Sequence, residues 1–228
     1  MNPPRTIVFD LDGTLVDTAP DLINALNFVL DREGLPPVPP ASARNMIGAG
    51  ARKLIERGLE VDGRAVTVDE LERMTRDFID HYAEHIADQS RPFDGLEDAL
   101  DDLGARGYRF AVCTNKLEWL SKRLLDRLGL SARFAAICGA DTFGISKPDP
   151  AFLRETVARA GGQLSSSVMV GDAGTDIGVA RRARVPVVGV SFGYTDVPME
   201  DLKPDRLISH MEELASAVEG LMQTHDQS

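Results

Sequence analysis

The sequence predicts an α/β fold: a parallel sheet covered by helices on both faces, interrupted near its start by a purely helical insert. Three observations carry this expectation. From about Leu96 to the C-terminus, short apolar runs alternate with segments of helical periodicity, the order that builds parallel sheets. Between Asp17 and about Pro92 no convincing strand occurs. The unusual polar clusters lie where strands end, the place where open α/β sheets bind ligands.

Taken in order, Thr6 to Asp10 reads as the first strand, with Met1-Asn2-Pro3-Pro4-Arg5 leading straight into it. Leu22, Ile23, Leu26 and Leu30 recur at helical spacing. Gly34-Leu35-Pro36-Pro37-Val38-Pro39-Pro40 breaks the chain. A second helix is expected over Ala41 to Leu59, with Gly48-Ala49-Gly50 as its weak point, and a third over about Asp69 to Ala87. Arg91-Pro92-Phe93-Asp94-Gly95 reads as a return linker. Helices are then expected at about Leu96–Arg106, Glu118–Leu128, Pro150–Ala160, Thr175–Ala183 and Met211–Met222. Strands are expected at Tyr108–Cys113, Ala135–Cys138, Val168–Val170 and Val185–Val190, with a last edge strand at Asp205–Ile208. Thr224 to Ser228 is polar and expected to fray.

Composition narrows the function. The 228 residues allow one large domain or a core plus an insert, and 43% hydrophobic content suffices for a real core. Only 6% is aromatic, so that core should be mostly aliphatic. A net charge of −11 argues against nucleic acid as a partner but leaves room for a small phosphorylated metabolite. Cys113 and Cys138 each lie in an apolar stretch and read as buried free thiols. No signal-peptide region and no membrane-length apolar run is evident, so a soluble, cytoplasmic protein without a membrane partner is expected.

Four clusters carry the chemistry: Asp10-Leu11-Asp12-Gly13-Thr14, Thr114-Asn115-Lys116, Lys147-Pro148-Asp149-Pro150 and Gly171-Asp172-Ala173-Gly174-Thr175-Asp176. In an extended chain, positions i and i+2 point to one side, so Asp10 and Asp12 face one small space. Two acids there repel unless a cation or a shared proton intervenes. Gly13 lets the chain turn away at once.

With these four clusters in this order, the chain resembles the phosphatase branch of the haloacid dehalogenase superfamily over nearly its whole length. Thr114-Asn115-Lys116, Gly139-Ala140-Asp141-Thr142, Lys147-Pro148-Asp149-Pro150 and Gly48-Ala49-Gly50-Ala51-Arg52-Lys53-Leu54 look most like its phosphoglycolate phosphatases. The resemblance implies a Rossmann-like three-layer core from residues 1–16 and 93–228, with an all-helical cap over 17–92. It implies Mg²⁺-dependent hydrolysis of a small phosphomonoester, 2-phosphoglycolate first, through an aspartyl-phosphate. Asp10 would be the nucleophile and Asp12 the general acid and base, with Lys147 supplying charge to Asp10 and the phosphoryl oxygens. Asp10, Asp12 (through its carbonyl) and Asp172 would hold the metal, with Asp176 acting through a water. Thr114, Asn115, Gly13 and Arg52 would contact substrate or phosphate. Either a monomer or a homodimer fits.

Some readings stay open. Another sugar or small-metabolite phosphatase remains possible, as does a sugar-phosphate mutase, which keeps both acids. Asp12 argues against a dehalogenase and a phosphonatase, and intact Asp10 and Asp12 argue against a silent scaffold. Arg52 and Lys53 either lean over the pocket or are ordinary solvated charge. Ala173 stands where the family often has Ser or Thr, which leaves Asp172 looser or compensated by Thr175. His81 and His85 share a helix face and read as wet surface rather than metal ligands. Trp119 is expected in core or rim packing. Lys116 lies close to the pocket, and Phe192-Gly193-Tyr194 reads as a rim loop near the cap hinge, with hinges at Val16-Asp17 and Arg91-Pro92.

Overall fold

The fold comes from a computed structural model that describes residues 4–195 and 197–225. The lead-in Met1-Asn2-Pro3 and the end of the polar tail, 226–228, lie outside the described residues. The chain opens with β1 (Thr6–Phe9), β2 (Val16–Asp17), α1 (Ala19–Arg32), α2 (Pro40–Ala43), α3 (Ala51–Val61), α4 (Val68–Glu84) and β3 (Arg91–Pro92). It continues with α5 (Leu96–Ala105), β4 (Arg109–Cys113), α6 (Glu118–Arg127), β5 (Phe134–Cys138), α7 (Pro150–Arg159) and β6 (Ser167–Gly171). Then follow α8 (Gly174–Ala183), β7 (Val187–Val190), α9 (Met199–Leu202), β8 (Arg206–Ile208) and α10 (Leu214–His225).

Six strands form one sheet in the order β5-β4-β1-β6-β7-β8, all neighbours parallel. The expected α/β class is borne out. Alternate residues serve opposite faces. Ile7 and Phe9 of β1 join the core on the side of α5, α6 and α10. Val8 between them packs with Phe152, Leu153 and Val157 of α7 and Ile177 and Ala180 of α8. Phe9 stands in register with Val112 of β4 and Val170 of β6. Asp10, Cys113-Thr114 and Gly171-Asp172 therefore leave the sheet at one level, side by side.

The helices α1 to α4 are bracketed by β2 and β3, which pair antiparallel as a two-stranded ribbon. Leu22 and Leu26 of α1, Leu54 and Ile55 of α3 and Met74 and Phe78 of α4 bury one shared apolar face. Helix α4 starts with a capping box in which Thr67 Oγ1 accepts from Glu70 N and the Glu70 carboxylate accepts from Thr67 N.

The structure corrects the expected helix over Ala41–Leu59. It is broken into α2, a 3₁₀ turn at Arg44–Met46, an open stretch and α3. Gly48 and Gly50 adopt φ of 107° and 88°, values that no helix contains and that glycine reaches without strain. At the other end, the helix expected from Met211 begins as a 3₁₀ turn, and α10 continues through Thr224 and His225 instead of fraying there. Cys113 and Cys138 are buried and free, opposite each other on β4 and β5. Among the described residues, no helix is long and apolar enough to cross a membrane.

Candidate active site

Directly after β1 the chain makes a tight turn, held by Gly13 N donating to Val16 O and Leu15 N to Leu11 O. Gly13 has φ of 83°, and a Cβ there would stand 2.3 Å from Asp172 Oδ2. The glycine thus serves the backbone and the close approach of Asp172. Gly193 also permits a close approach of Asp172, since a Cβ there would come within 2.1 Å of the Asp172 Cβ.

Six charged side chains meet at this level, all buried: Asp10, Asp12, Asp172, Asp176, Lys116 and Lys147. Lys147 Nζ donates to Asp10 Oδ1 at 2.8 Å and to Asp176 Oδ1 at 2.7 Å. Asp10 Oδ1 also accepts from Leu11 N at 2.7 Å. Lys116 Nζ grips both oxygens of Asp12, at 2.8 and 3.1 Å, and Thr18 Oγ1 donates to Asp12 Oδ1 at 2.7 Å. Asp172 accepts from Thr14 Oγ1 and from Tyr194 N, both at 2.8 Å. Asp176 Oδ2 accepts from Ala173 N at 3.0 Å.

The electrostatics follow from burial. The Asp10 carboxyl is pushed up to about 7, chiefly by burial; Lys147 pulls it down and Asp176 pushes it further up. Asp172 rises to about 8, again by burial first, then by Asp10 and Asp176. Lys147 is held above the usual lysine range: burial opposes its charge, but Asp10 and Asp176 outweigh that cost. Fully ionised, four carboxylates face two ammonium groups, an excess of two negative charges in a dry site. Carboxylate oxygens of Asp10, Asp172 and Asp176 lie within 4.8 Å of one another. An all-oxygen, carboxylate-rich donor set with that charge imbalance fits a hard divalent cation.

A cavity of about 260 Å³ opens above Asp10, Asp12 and Thr114. Its other walls are Leu22, the Ile47–Arg52 stretch and Leu54, the α4 residues Thr75, Phe78, Ile79 and Tyr82, and Asn115 to Leu117 with Leu120. Thr114 is buried, and its Oγ1 accepts from Lys116 N at 3.2 Å. The Asn115 side chain is committed to backbone: its Oδ1 accepts from Lys147 N at 2.9 Å, and its Nδ2 donates to Gly48 O at 3.3 Å. It therefore ties the strand-end loops to the glycine-rich stretch before α3. Arg52 lines the cavity rim but is half exposed and donates to Glu56, as does Lys53.

Beside the cavity, the ribbon of β2 and β3 is clamped. Tyr194 Oη donates to Asp17 and accepts from Ala19 N. Arg44 bonds both Asp17 oxygens at 2.7 Å and lies over the Tyr194 ring. Asp21 accepts from the backbone of Gln89 and Ser90 and from the Ser90 hydroxyl, fixing the far end of the helical segment to α1. Phe192 packs on Phe93, their ring centroids 4.6 Å apart. The loop 192–194 thus sits at the ribbon, as its place after β7 suggested.

Two expectations are corrected. Thr175 does not compensate for Ala173: its Oγ1 is buried without a partner, and Thr14 and the Tyr194 amide orient Asp172 instead. Trp119 is 44% exposed and is absent from the cavity lining, so it packs neither in the core nor on the cavity wall. His81 stacks on Phe28 and touches His85, whose Nδ1 is 2.8 Å from Asp88. Sequence reasoning missed Tyr82, Thr18 and the Lys116–Asp12 pair. Thr18 carries a faint signal, a hydroxyl four residues beyond Thr14; the other two join segments far apart in the chain.

The model of the family described as haloacid dehalogenase-like hydrolase matches residues 7–190. The phosphoglycolate phosphatase of Mesorhizobium japonicum is 46% identical over 91% of this chain and 92% of its own length. That of Caulobacter vibrioides is 49% identical over 89% of this chain and 86% of its own. The crystal structure of a predicted phosphoglycolate phosphatase from Haemophilus somnus superposes with a TM-score of 0.86 at 29% identity, covering 95% of this chain and 98% of that one.

Proposed function

The chain belongs to the haloacid dehalogenase-like hydrolases, and we propose that it hydrolyses a small phosphomonoester, 2-phosphoglycolate first, through a phosphorylated Asp10. The observation that carries this reading is the division of labour between two buried carboxylates. Asp10 is held by Lys147, and Asp12 by Lys116 and Thr18, at the floor of one cavity. The names of the relatives support 2-phosphoglycolate as substrate.

Asp10 attacks phosphorus while Asp12 gives its proton to the departing ester oxygen, so that the alcohol leaves neutral. Asp12, now a carboxylate, takes a proton from water as that water attacks phosphorus. The P–O bond to Asp10 breaks, phosphate leaves, and both side chains return to their starting states. Lys147 and the Thr114 hydroxyl donate to the phosphoryl oxygens as charge redistributes. Asp10, Asp172 and the Asp12 carbonyl would hold Mg²⁺, with Asp176 behind them. When bound, the ion neutralises charge on the phosphoryl group and on the carboxylates.

Residues 17–92 act as a cap over this floor, and it opens about the β2–β3 ribbon to admit substrate. A panel of phosphate esters, assayed with Mg²⁺ and with EDTA, tests the reading. Metal-dependent turnover led by 2-phosphoglycolate is expected. A folded protein with no metal-dependent turnover of any ester contradicts it.

A further inference from the structure

The cavity contains one polar group that hydrolysis as described leaves idle. Tyr82, on α4, is fully buried; the Lys116 ammonium lies beside its hydroxyl, and the hydroxyl proton has no acceptor. Burying such a hydroxyl is unfavourable unless something pairs with it. Its neighbour is Lys116, whose Nζ lies 4.5 Å from the Tyr82 ring centroid. Two of the three N–H groups of Lys116 are accounted for by Asp12. The cavity walls also include Phe78, Ile79 and Leu22, which offer no competing donor. Arg52, the other cation on the cavity, is half exposed and bonded to Glu56.

We propose that Tyr82 Oη and Lys116 Nζ together read a carboxylate on the leaving group, selecting phosphate esters of short 2-hydroxy acids. This rests on the hydrolase reading above. A carboxylate only accepts hydrogen bonds, and it meets here a hydroxyl donor and an ammonium in a dry pocket, where such bonds are strongest. Chain length follows from position. Asp12 faces the ester oxygen, and Lys116 stands one hydrogen bond beyond Asp12. A carboxylate on the carbon that bears the ester therefore lies close to Lys116.

Steady-state kinetics on 2-phosphoglycolate and on ethyl phosphate, which has nearly its shape without the carboxylate, test this in wild type, Tyr82→Phe and Lys116→Gln. Wild type is expected to prefer 2-phosphoglycolate by about 100-fold or more in kcat/KM, and Tyr82→Phe to cut that preference roughly tenfold, mainly through KM. Lys116→Gln is expected to cut it further. Because Tyr82→Phe removes a buried hydroxyl whose proton has no acceptor, its melting temperature should hold or rise, which separates a reading role from a structural one. An equal loss on both substrates in Tyr82→Phe, or an unchanged preference, overturns the proposal. A wild type that hydrolyses both esters alike also overturns it and leaves the hydrolase reading standing. A folded wild type that hydrolyses neither with Mg²⁺ brings down both.

Discussion

On the floor of the cavity every charged side chain has a hydrogen-bond partner, while carboxylates outnumber ammonium groups four to two: Lys147 sits between Asp10 and Asp176, Lys116 on Asp12, and Thr14 and the Tyr194 amide on Asp172. The roof, built from α1, α3, α4 and the stretch before α3, is apolar at Leu22, Leu54, Phe78 and Ile79, and the proton of its one deeply buried hydroxyl has no acceptor. The floor sits on parallel strands whose register fixes its geometry. The roof is joined to it by a two-residue ribbon, a tyrosine clamp and the Asn115–Gly48 bond. A floor whose side chains are each held in place and which is two positive charges short is committed to one kind of chemistry. A roof with an unmet donor is free to choose what enters.

The sharpest way to break this contrast is Asp10→Asn. It keeps the shape of the floor and removes the attacking charge, so turnover should fall roughly 10⁴-fold or more while circular dichroism is unchanged. Near-normal turnover would move the chemistry off Asp10.

Next in size is the linkage between Mg²⁺ and pH. Burial pushes the Asp10 and Asp172 carboxyls up to about 7 and about 8, above the ordinary carboxylate value of 3.8. The folded state therefore holds protons that the unfolded chain has released. The stability that goes with them is lost as pH rises from about 4 toward 8. Metal binding requires the ionised carboxylates, so the rise in melting temperature caused by Mg²⁺ should grow from about pH 5 to about pH 8. A Mg²⁺ effect independent of pH would remove the ion from the floor.

At the joint, Tyr194→Phe removes the hydroxyl that links Asp17 and the Ala19 amide. About 1 kcal/mol of stability should go, read as a drop of about 2–4 °C in melting temperature. If the ribbon gates entry, kcat and KM should shift together; a stability change with unaltered kinetics would make the clamp purely structural. Smallest is Trp119→Ala, outside both surfaces, expected to stay within about 0.5 kcal/mol in urea denaturation. A larger loss would show that the start of α6 supports the cavity wall.

The same contrast decides what was legible in the sequence. Asp10, Asp12, Lys147 and Asp172 are short local motifs at strand ends, and the parallel sheet brings strand ends together by topology alone. Lys116 on Asp12 depends on where β4 lies beside β1, and Tyr82 on how α4 packs over the sheet; neither is encoded in local spacing. The break before α3 was visible as Gly48 and Gly50, but helical periodicity on both sides masked how far the chain departs from a helix there. The ribbon of β2 and β3 is two residues long on each side, too short for any periodic signal. Thr175 was a plausible support for Asp172 by proximity in sequence, yet the helix start turns it elsewhere and Thr14 comes from across the turn.

The central claim is that Asp10 is the atom donor that attacks phosphorus. Rapid mixing with 2-phosphoglycolate and Mg²⁺, an acid quench within the first turnover, and mass spectrometry of the peptide spanning Asp10 tests it directly. One phosphoryl group on Asp10, removable by hydroxylamine and absent from Asp10→Asn, is the result expected. Product released at full rate with no phosphorylated Asp10 at any time, or with the phosphoryl group on another residue, would contradict it.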